Sequence, residues 1–408
     1  MHQSLDGTTT ATVNAPVLAI DPFAPEHIAD PYPFHAALRE AGQVARLTSY
    51  GVWAIGRHAE VRGVLSDHQN FRSSAGVGLA NYLHEQPWRR PGLLLEADPP
   101  EHDRARRVLA RVISPAALRG LKASFEREAE SLVDELIARD SIDAMTDLAE
   151  RFPIKVFSDA VGLPLEGREH LLPYGKAIFN AFGPQNALFK ESMIDTDKIQ
   201  AWVTQSCSRT ALTPGTLGAQ IYAAADAGEI TPDEAPRLVR AFLSAGLDTT
   251  VSALGNAIYL FACFPDQWTL IHADPGLAKN AFEEALRFET PFQLFFRTTA
   301  AKIDLAGQQL GAGEKILVSI AAANRDPRQW SDPDRFDVTR RSAGHMAFGA
   351  GIHACIGQMM ARLEADVILS ALARKVTAIE LAGEPERRLN NTLRGFRKLP
   401  VTLHSAAN

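Results

Sequence analysis

The segment Thr231-Pro-Asp-Glu234, with the apolar-periodic stretch behind it, constrains the fold more than any other feature of the chain. Thr231 can cap a helix, Pro232 suits its first turn and Glu234 completes a capping box. The spacing therefore predicts one helix over 232–262, about 30 residues and roughly 45 Å long at ~1.5 Å per residue. Such a helix crosses a whole domain. Helical apolar spacing also marks 102–113, 116–139, 167–183, 276–290 and 357–376. Strand patterns are short: Val44–Arg46 with Val52–Ile55, Asp304–Gln308, and Ile316–Val318. Strands so few and so separate from the helices argue against a doubly wound parallel sheet and for a mainly α fold with small β-sheets.

No repeat or low-complexity linker divides the 408 residues, so a single domain over 18–408 is expected behind a flexible tail, residues 1–17. With 46% apolar and 22% charged residues the chain can bury a large core. The net charge of −6 disfavours nonspecific nucleic-acid binding. The N-terminus lacks the pattern of a signal peptide, and no run of residues is apolar enough to span a bilayer. Cys207, Cys263 and Cys355 are too scattered for a disulfide framework, which fits a cytoplasmic location.

Four stretches could carry chemistry. Ala245-Gly-Leu-Asp-Thr-Thr250 sets a glycine, an acid and two hydroxyls inside an apolar helix. It reads as a kink with threonines bonding back to the preceding turn, or as a groove where Asp248 and Thr249 deliver protons. Glu284 and Arg287 stand one helical turn apart and can pair, as many surface residues do. In Asp98-Pro-Pro-Glu-His-Asp-Arg-Ala-Arg106, His102 and Arg106 share a helix face. They are solvated surface or, with Arg297 and His353, a clamp for the carboxylates of a cofactor. Cys355, in His345-Met-Ala-Phe-Gly-Ala-Gly-Ile-His-Ala-Cys-Ile-Gly-Gln358, has four readings. They are a buried inert thiol, a zinc ligand with His345 and His353, part of a G-x-G-x-x-A dinucleotide loop at Gly349, and a thiolate ligand of haem iron.

Taken together, these stretches resemble the cytochrome P450 family over roughly residues 20–405. Phe348-Gly-x-Gly-x-His-x-Cys-x-Gly357 is similar to its haem loop, Glu284-x-x-Arg287 to its structural ion pair, and Ala245-Gly-x-Asp-Thr-Thr250 to its oxygen-activating groove. Ala323-Asn-Arg-Asp-Pro327 and Trp330-Ser-Asp-Pro-Asp-Arg-Phe-Asp337 resemble further family segments in the expected order. The resemblance implies haem b with Cys355 as its iron ligand, and propionates held by His102, Arg106, Arg297 and His353. It also implies proton delivery by Asp248 and Thr249, and Gly349, Gly351 and Gly357 small enough for backbone to approach the porphyrin. Electrons would come from NAD(P)H through a small iron–sulfur ferredoxin and its reductase, docking at a basic patch that includes Arg104, Arg107 or Arg362.

Pro87-Trp-Arg-Arg-Pro91, Phe179-Asn-Ala-Phe-Gly-Pro184 and Val239-Arg-Ala-Phe-Leu-Ser-Ala-Gly246 resemble the subgroup that oxidises para-substituted benzoic and cinnamic acids. That likeness implies a monomeric monooxygenase that hydroxylates or O-demethylates such an acid with O2. Arg89 and Ser244 would hold the carboxylate and Arg240 would shield the site. Phe179, Phe182 and Phe295 would form aromatic walls, with Leu95 and Ala245 beside the ring. Gly92 and Ala241 stand where serines are expected, and Phe292 where a smaller aliphatic residue is usual. The rival readings are the same chemistry on a neutral aromatic or terpenoid, a haem sensor without turnover, and a dinucleotide-dependent dehydrogenase.

Overall fold

Half of the expected capping box forms, the Thr231 backbone N–H donating to Glu234 Oε2 at 2.8 Å, but the helix begins only at Glu234, behind Asp233, and no side chain caps it. In the computed structural model, which describes residues 15–405, this helix is nonetheless two: Glu234–Ala245 and Asp248–Cys263. The single helix expected over 232–262 is thus corrected to a pair broken at Gly246 and Leu247. Thr249 Oγ1 donates to Ala245 O at 2.8 Å and Thr250 Oγ1 to Gly246 O at 3.2 Å, so hydroxyls occupy the carbonyls at the break. A Cβ on Gly246 would sit 2.8 Å from the Phe157 ring, so a neighbouring helix, Arg151–Val161, approaches where only glycine leaves room.

Beyond the break, Asp248–Cys263 is buried on nearly every side, as a helix apolar all round requires. Ala278–Phe288 packs against it, Gln358–Lys375 packs on that helix, and Pro115–Ile137 packs on Gln358–Lys375, all three close to the bounds expected from periodicity. The stretch expected as helix over 167–183 is a 3-10 turn followed by Leu171–Asn180. No single helix among the described residues is long and apolar enough to cross a membrane.

The largest sheet has six strands. Along it run Val17–Leu18, Ala45–Leu47, Val52–Ile55, Lys315–Ser319, Leu294–Thr299 and Phe71–Arg72. Two of its pairings are parallel, Val17 with Arg46 and Trp53 with Ile316, and the rest antiparallel. Of the expected tail, residues 1–14 lie outside the described residues, and Val17 at its end belongs to this sheet. The strand Leu294–Thr299 is buried at every position, so it lacks the alternation that marks a strand in sequence. Its Arg297 pairs in register with Ile316. Asp304–Gln308, expected as one strand, spans parts of two, Ile303–Leu305 and Gln308–Leu310, which pair as a hairpin. Its centre, Ala306 and Gly307, has positive φ.

Candidate active site

Cys355 sits at the end of a loop braced by backbone bonds. Its N–H donates to Phe348 O at 2.7 Å, and Met346 N–H donates to Asn324 Oδ1 at 2.6 Å. Gly349 and Gly351 adopt φ of +68° and +69°, which side chains resist. A Cβ on Gly351 would meet Leu65 O at 2.4 Å, so its smallness serves contact with the helix His58–Ser66. That is a different reason from the approach to a porphyrin expected of it. The sulfur is accessible to solvent but otherwise closely surrounded by protein. This desolvation raises its pKa above the ordinary thiol value, opposed by the amides of Gly357 and Gln358 and the guanidiniums of Arg106 and Arg362. Donors and cations converging on one sulfur are what a thiolate needs.

Beside it lies a set of buried nitrogens without acceptors. His102 and His353 stack edge-on at 4.5 Å, and His102 Nε2 and both ring nitrogens of His353 have no hydrogen-bond partner. His102 Nδ1 faces Asp103 Oδ1 at 2.9 Å, and His353 Nε2 is 3.9 Å from Asp98, too far for a hydrogen bond. Arg297, 1% exposed, donates to Phe296 O at 3.0 Å and has no carboxylate partner among the described residues. Its burial lowers its pKa to about 9, with the charge of Asp98 opposing. Arg106 donates to Ala354 O at 2.8 Å, and its pKa is lowered by desolvation. A buried guanidinium without a counter-ion is costly. The cluster therefore fits a group that brings carboxylates of its own next to a sulfur ligand, as haem b does. The zinc reading finds no support: among the described residues no group of three His, Cys, Asp or Glu side chains is placed to hold a metal, and His345 is bound to Glu283 at 2.9 Å. The dinucleotide reading also lacks its strand, because Ala323–Gly349 holds no strand before the loop.

Where the long helix is broken, one face opens. Ala245 is exposed and Ala241, Ser244 and Thr249 are partly so, although the residues after them are almost all buried. Asp248 and Thr249 do not bond to each other. Asp248 Oδ1 takes a bond of 2.5 Å from Arg388 Nη2, which also reaches Ser252 Oγ at 3.2 Å, and Asp248 Oδ2 is buried without a partner. Arg388, on the strand Glu386–Arg388, was not foreseen; 140 residues separate it from Asp248, and no local spacing announces such a pair.

The four phenylalanines singled out form one cluster. Phe179 meets Phe182 at 5.9 Å and Phe292 at 5.4 Å between ring centroids, both edge-on. Phe292 stacks on Phe295 at 5.6 Å with 7° between planes. Three of these rings are buried and Phe292 is partly exposed. The segment 75–82 links the cluster to the 87–96 loop: Leu79 N–H donates to Phe182 O at 2.8 Å, and Tyr82 OH donates to Glu96 Oε1 at 3.3 Å. Arg237 ties the same loop to the helix by donating to Pro91 O at 3.0 Å. Leu95 is half-buried against the core. Arg89 is paired: its Nη2 lies 3.0 Å from Glu96 Oε2, which also accepts the Gly92 N–H at 2.7 Å. Glu96 is a second residue that sequence reasoning missed. Ser244 Oγ donates to Arg240 O at 2.9 Å and stands 3.3 Å from Tyr174 OH. Arg240 is half-buried, and its charge bears on Cys207.

Glu284 and Arg287 are fully buried and paired bidentately at 2.7 and 2.8 Å. Arg340 and Ser342 add donors to Glu284, and Arg287 reaches the carbonyls of Asn324 and Pro333. This pair ties Ala278–Phe288 to the segment leading into the cysteine loop. Of the three surface arginines, Arg104 pairs with Glu234 and Arg362 with Glu283, while Arg107 is exposed.

A family model described as Cytochrome P450 matches residues 276–400. The chain is 54% identical to cytochrome P450 CYP199A2 of Rhodopseudomonas palustris over 96% of its own length and 95% of that protein's. It is 32% identical to the cytochrome P450 monooxygenase PikC of Streptomyces venezuelae, over 98% and 97% respectively. The solved structure of cytochrome P450 CYP109Q5 from Chondromyces apiculatus superposes with a TM-score of 0.80 at 29% identity, covering 95% of this chain and 99% of that one.

Proposed function

The chain belongs to the cytochrome P450 family, monooxygenases that carry haem b and take electrons from NAD(P)H through partner proteins, and from that premise we propose a substrate, a small para-substituted aromatic carboxylic acid. The observation that carries this reading is the cluster of Phe179, Phe182, Phe292 and Phe295, one ring of which is open. Edge-on and stacked rings favour a flat aromatic guest. The carboxylate end falls to Arg89 and Ser244, with Gly92 and Ala241 adding no hydroxyls. Residues 18–408 act as one haem-binding unit, monomeric and cytoplasmic, served by a small ferredoxin and its reductase at the face bearing Arg104, Arg107 and Arg362.

Cys355 supplies the thiolate for the iron, and the amides of Gly357 and Gln358 spread its charge. His102, Arg106, Arg297 and His353 would take the propionates, which would give partners to the unpaired ring nitrogens of the two histidines and a counter-ion to the buried Arg297. Bound in this way, a haem with a thiolate ligand supplies activation of O2 and insertion of one oxygen atom into a C–H bond. The protein's part is positional and protic. The phenylalanines hold the ring so that its para substituent is the part presented for reaction. Asp248, steadied at Oδ1 by Arg388, keeps Oδ2 free to carry a proton, and the Thr249 hydroxyl exchanges its bond to Ala245 O to pass that proton on. Titrating the holoenzyme with 4-methoxybenzoate tests the substrate: a Soret shift marking loss of iron-bound water is expected. Absence of that shift at millimolar acid, with a shift caused by an uncharged terpene, would contradict the assignment.

A further inference from the structure

Within the irregular 87–96 loop a receptor for a carboxylate is already built, and the chain fills it with its own side chain. Glu96, 5% exposed, accepts from Arg89 Nη2 at 3.0 Å, from the Gly92 amide at 2.7 Å and from Tyr82 OH at 3.3 Å. Arg89 Nη1 is spent on Arg90 O at 3.2 Å. Its Nε is buried and has no partner. A carboxylate approaching a guanidinium from the side uses Nε and Nη2 together, as two parallel bonds. In this loop one of those donors is held by Glu96 and the other stands unused.

Gly92 fixes where that carboxylate stands. A Cβ at that position would be 3.4 Å from Glu96 Oε2, an ordinary van der Waals contact, so the Glu96 carboxylate lies directly beside residue 92. A guest carboxylate drawn to Arg89 would therefore arrive next to a carboxylate already there. Two anions beside one cation repel, and the guest must displace Glu96 or settle for Nε alone. We infer that Glu96 competes with the substrate carboxylate for Arg89 and so sets how strongly the enzyme prefers aromatic acids to their neutral counterparts. This rests on the proposal that an aromatic acid is the substrate.

The test compares two probes, 4-methoxybenzoate and the uncharged 4-methoxybenzamide, by Soret titration of wild-type holoenzyme and of Glu96→Gln, with Glu96→Asp as a second variant. The glutamine keeps the size of the side chain and removes its charge; the aspartate withdraws the carboxylate by one methylene. Both variants should bind the acid about tenfold more tightly than wild type while affinity for the amide stays within about twofold. A merely structural role for Glu96 would move both probes together. If wild type binds the acid and the variants bind it no more tightly, the competition is refuted and the acid assignment stands. If the amide binds every form and the acid binds none, the acid assignment falls and the competition with it.

Discussion

At Cys355 two influences oppose each other: desolvation favours the thiol, while the Gly357 and Gln358 amides and the Arg106 and Arg362 guanidiniums favour the thiolate. Metal ligation deprotonates a cysteine outright, so under the proposed ligation the loop's donors would act on a sulfur already charged by bound haem iron. Cys355→Ser should abolish turnover, and the reduced, carbon-monoxide-bound protein should lose the strongly red-shifted Soret band. A retained band would remove Cys355 from the iron. Arg388 is the residue on which Asp248 depends. Arg388→Leu strands a buried carboxylate, and breaking a pair of this kind costs about 3 kcal/mol or more. Denaturant unfolding should register that loss. If stability is unchanged, the contact to Asp248 is not one the folded protein relies on. Cys355 and Thr249 could be proposed from local motifs, because each stands among its motif neighbours within a few positions. Arg388 and Glu96 could not be found in that way. Their roles come from partners brought together by the fold, and nothing in their own neighbourhoods sets them apart.

Helices with a clean apolar stripe, such as Pro115–Ile137 and Gln358–Lys375, were legible within a few residues of their ends. The break at Gly246 and Leu247 was legible as a kink, from the glycine and the threonines that bond back to Ala245 O and Gly246 O, but not as the end of one helix and the start of another, because apolar periodicity continues across it. Glycine is required there by Phe157. Gly246→Ala should destabilise the protein by about 1–3 kcal/mol through overpacking, read as a lowered denaturation midpoint. An unchanged midpoint would mean that the Arg151–Val161 helix yields easily. Between elements, Glu283 joins Ala278–Phe288 to the cysteine loop through His345 and to Gln358–Lys375 through Arg362. Burial alone would raise its pKa, but hydrogen bonds from His345 and Arg362 outweigh it and bring the value down to about 2, below the ordinary carboxylate range. A depressed carboxylate stabilises the fold above its unfolded pKa, and that contribution fades as pH falls from about 4.5 towards 2. Glu283→Gln should therefore reduce stability at neutral pH and flatten its decline over that acid range. A variant with the same acid limb as wild type would show that other carboxylates govern it.

On the scale of the molecule, the six-stranded sheet and the helical body meet where cations lack counter-ions. Arg297 comes from a strand buried on both faces, His102 and Arg106 from the helix Glu101–Val112, and His353 from the cysteine loop. Motif order in the sequence was enough to anticipate that assembly and the mainly helical fold. The hairpin at Asp304–Gln308 was misread because a two-residue turn interrupts what looks like one short strand. The pairing of Arg89 was not anticipated, because Glu96 supplies a carboxylate that no substrate motif contains. Under the proposed function, one atom of O2 enters the aromatic acid while the two electrons from NADH reduce the other atom to water. The most direct measurement reconstitutes the holoenzyme with a ferredoxin and its reductase, supplies NADH, O2 and 4-methoxybenzoate, and quantifies 4-hydroxybenzoate and formaldehyde against NADH consumed. The account predicts both products in equal amounts and in proportion to NADH; NADH consumption without either product, from an enzyme that binds the acid, would contradict it.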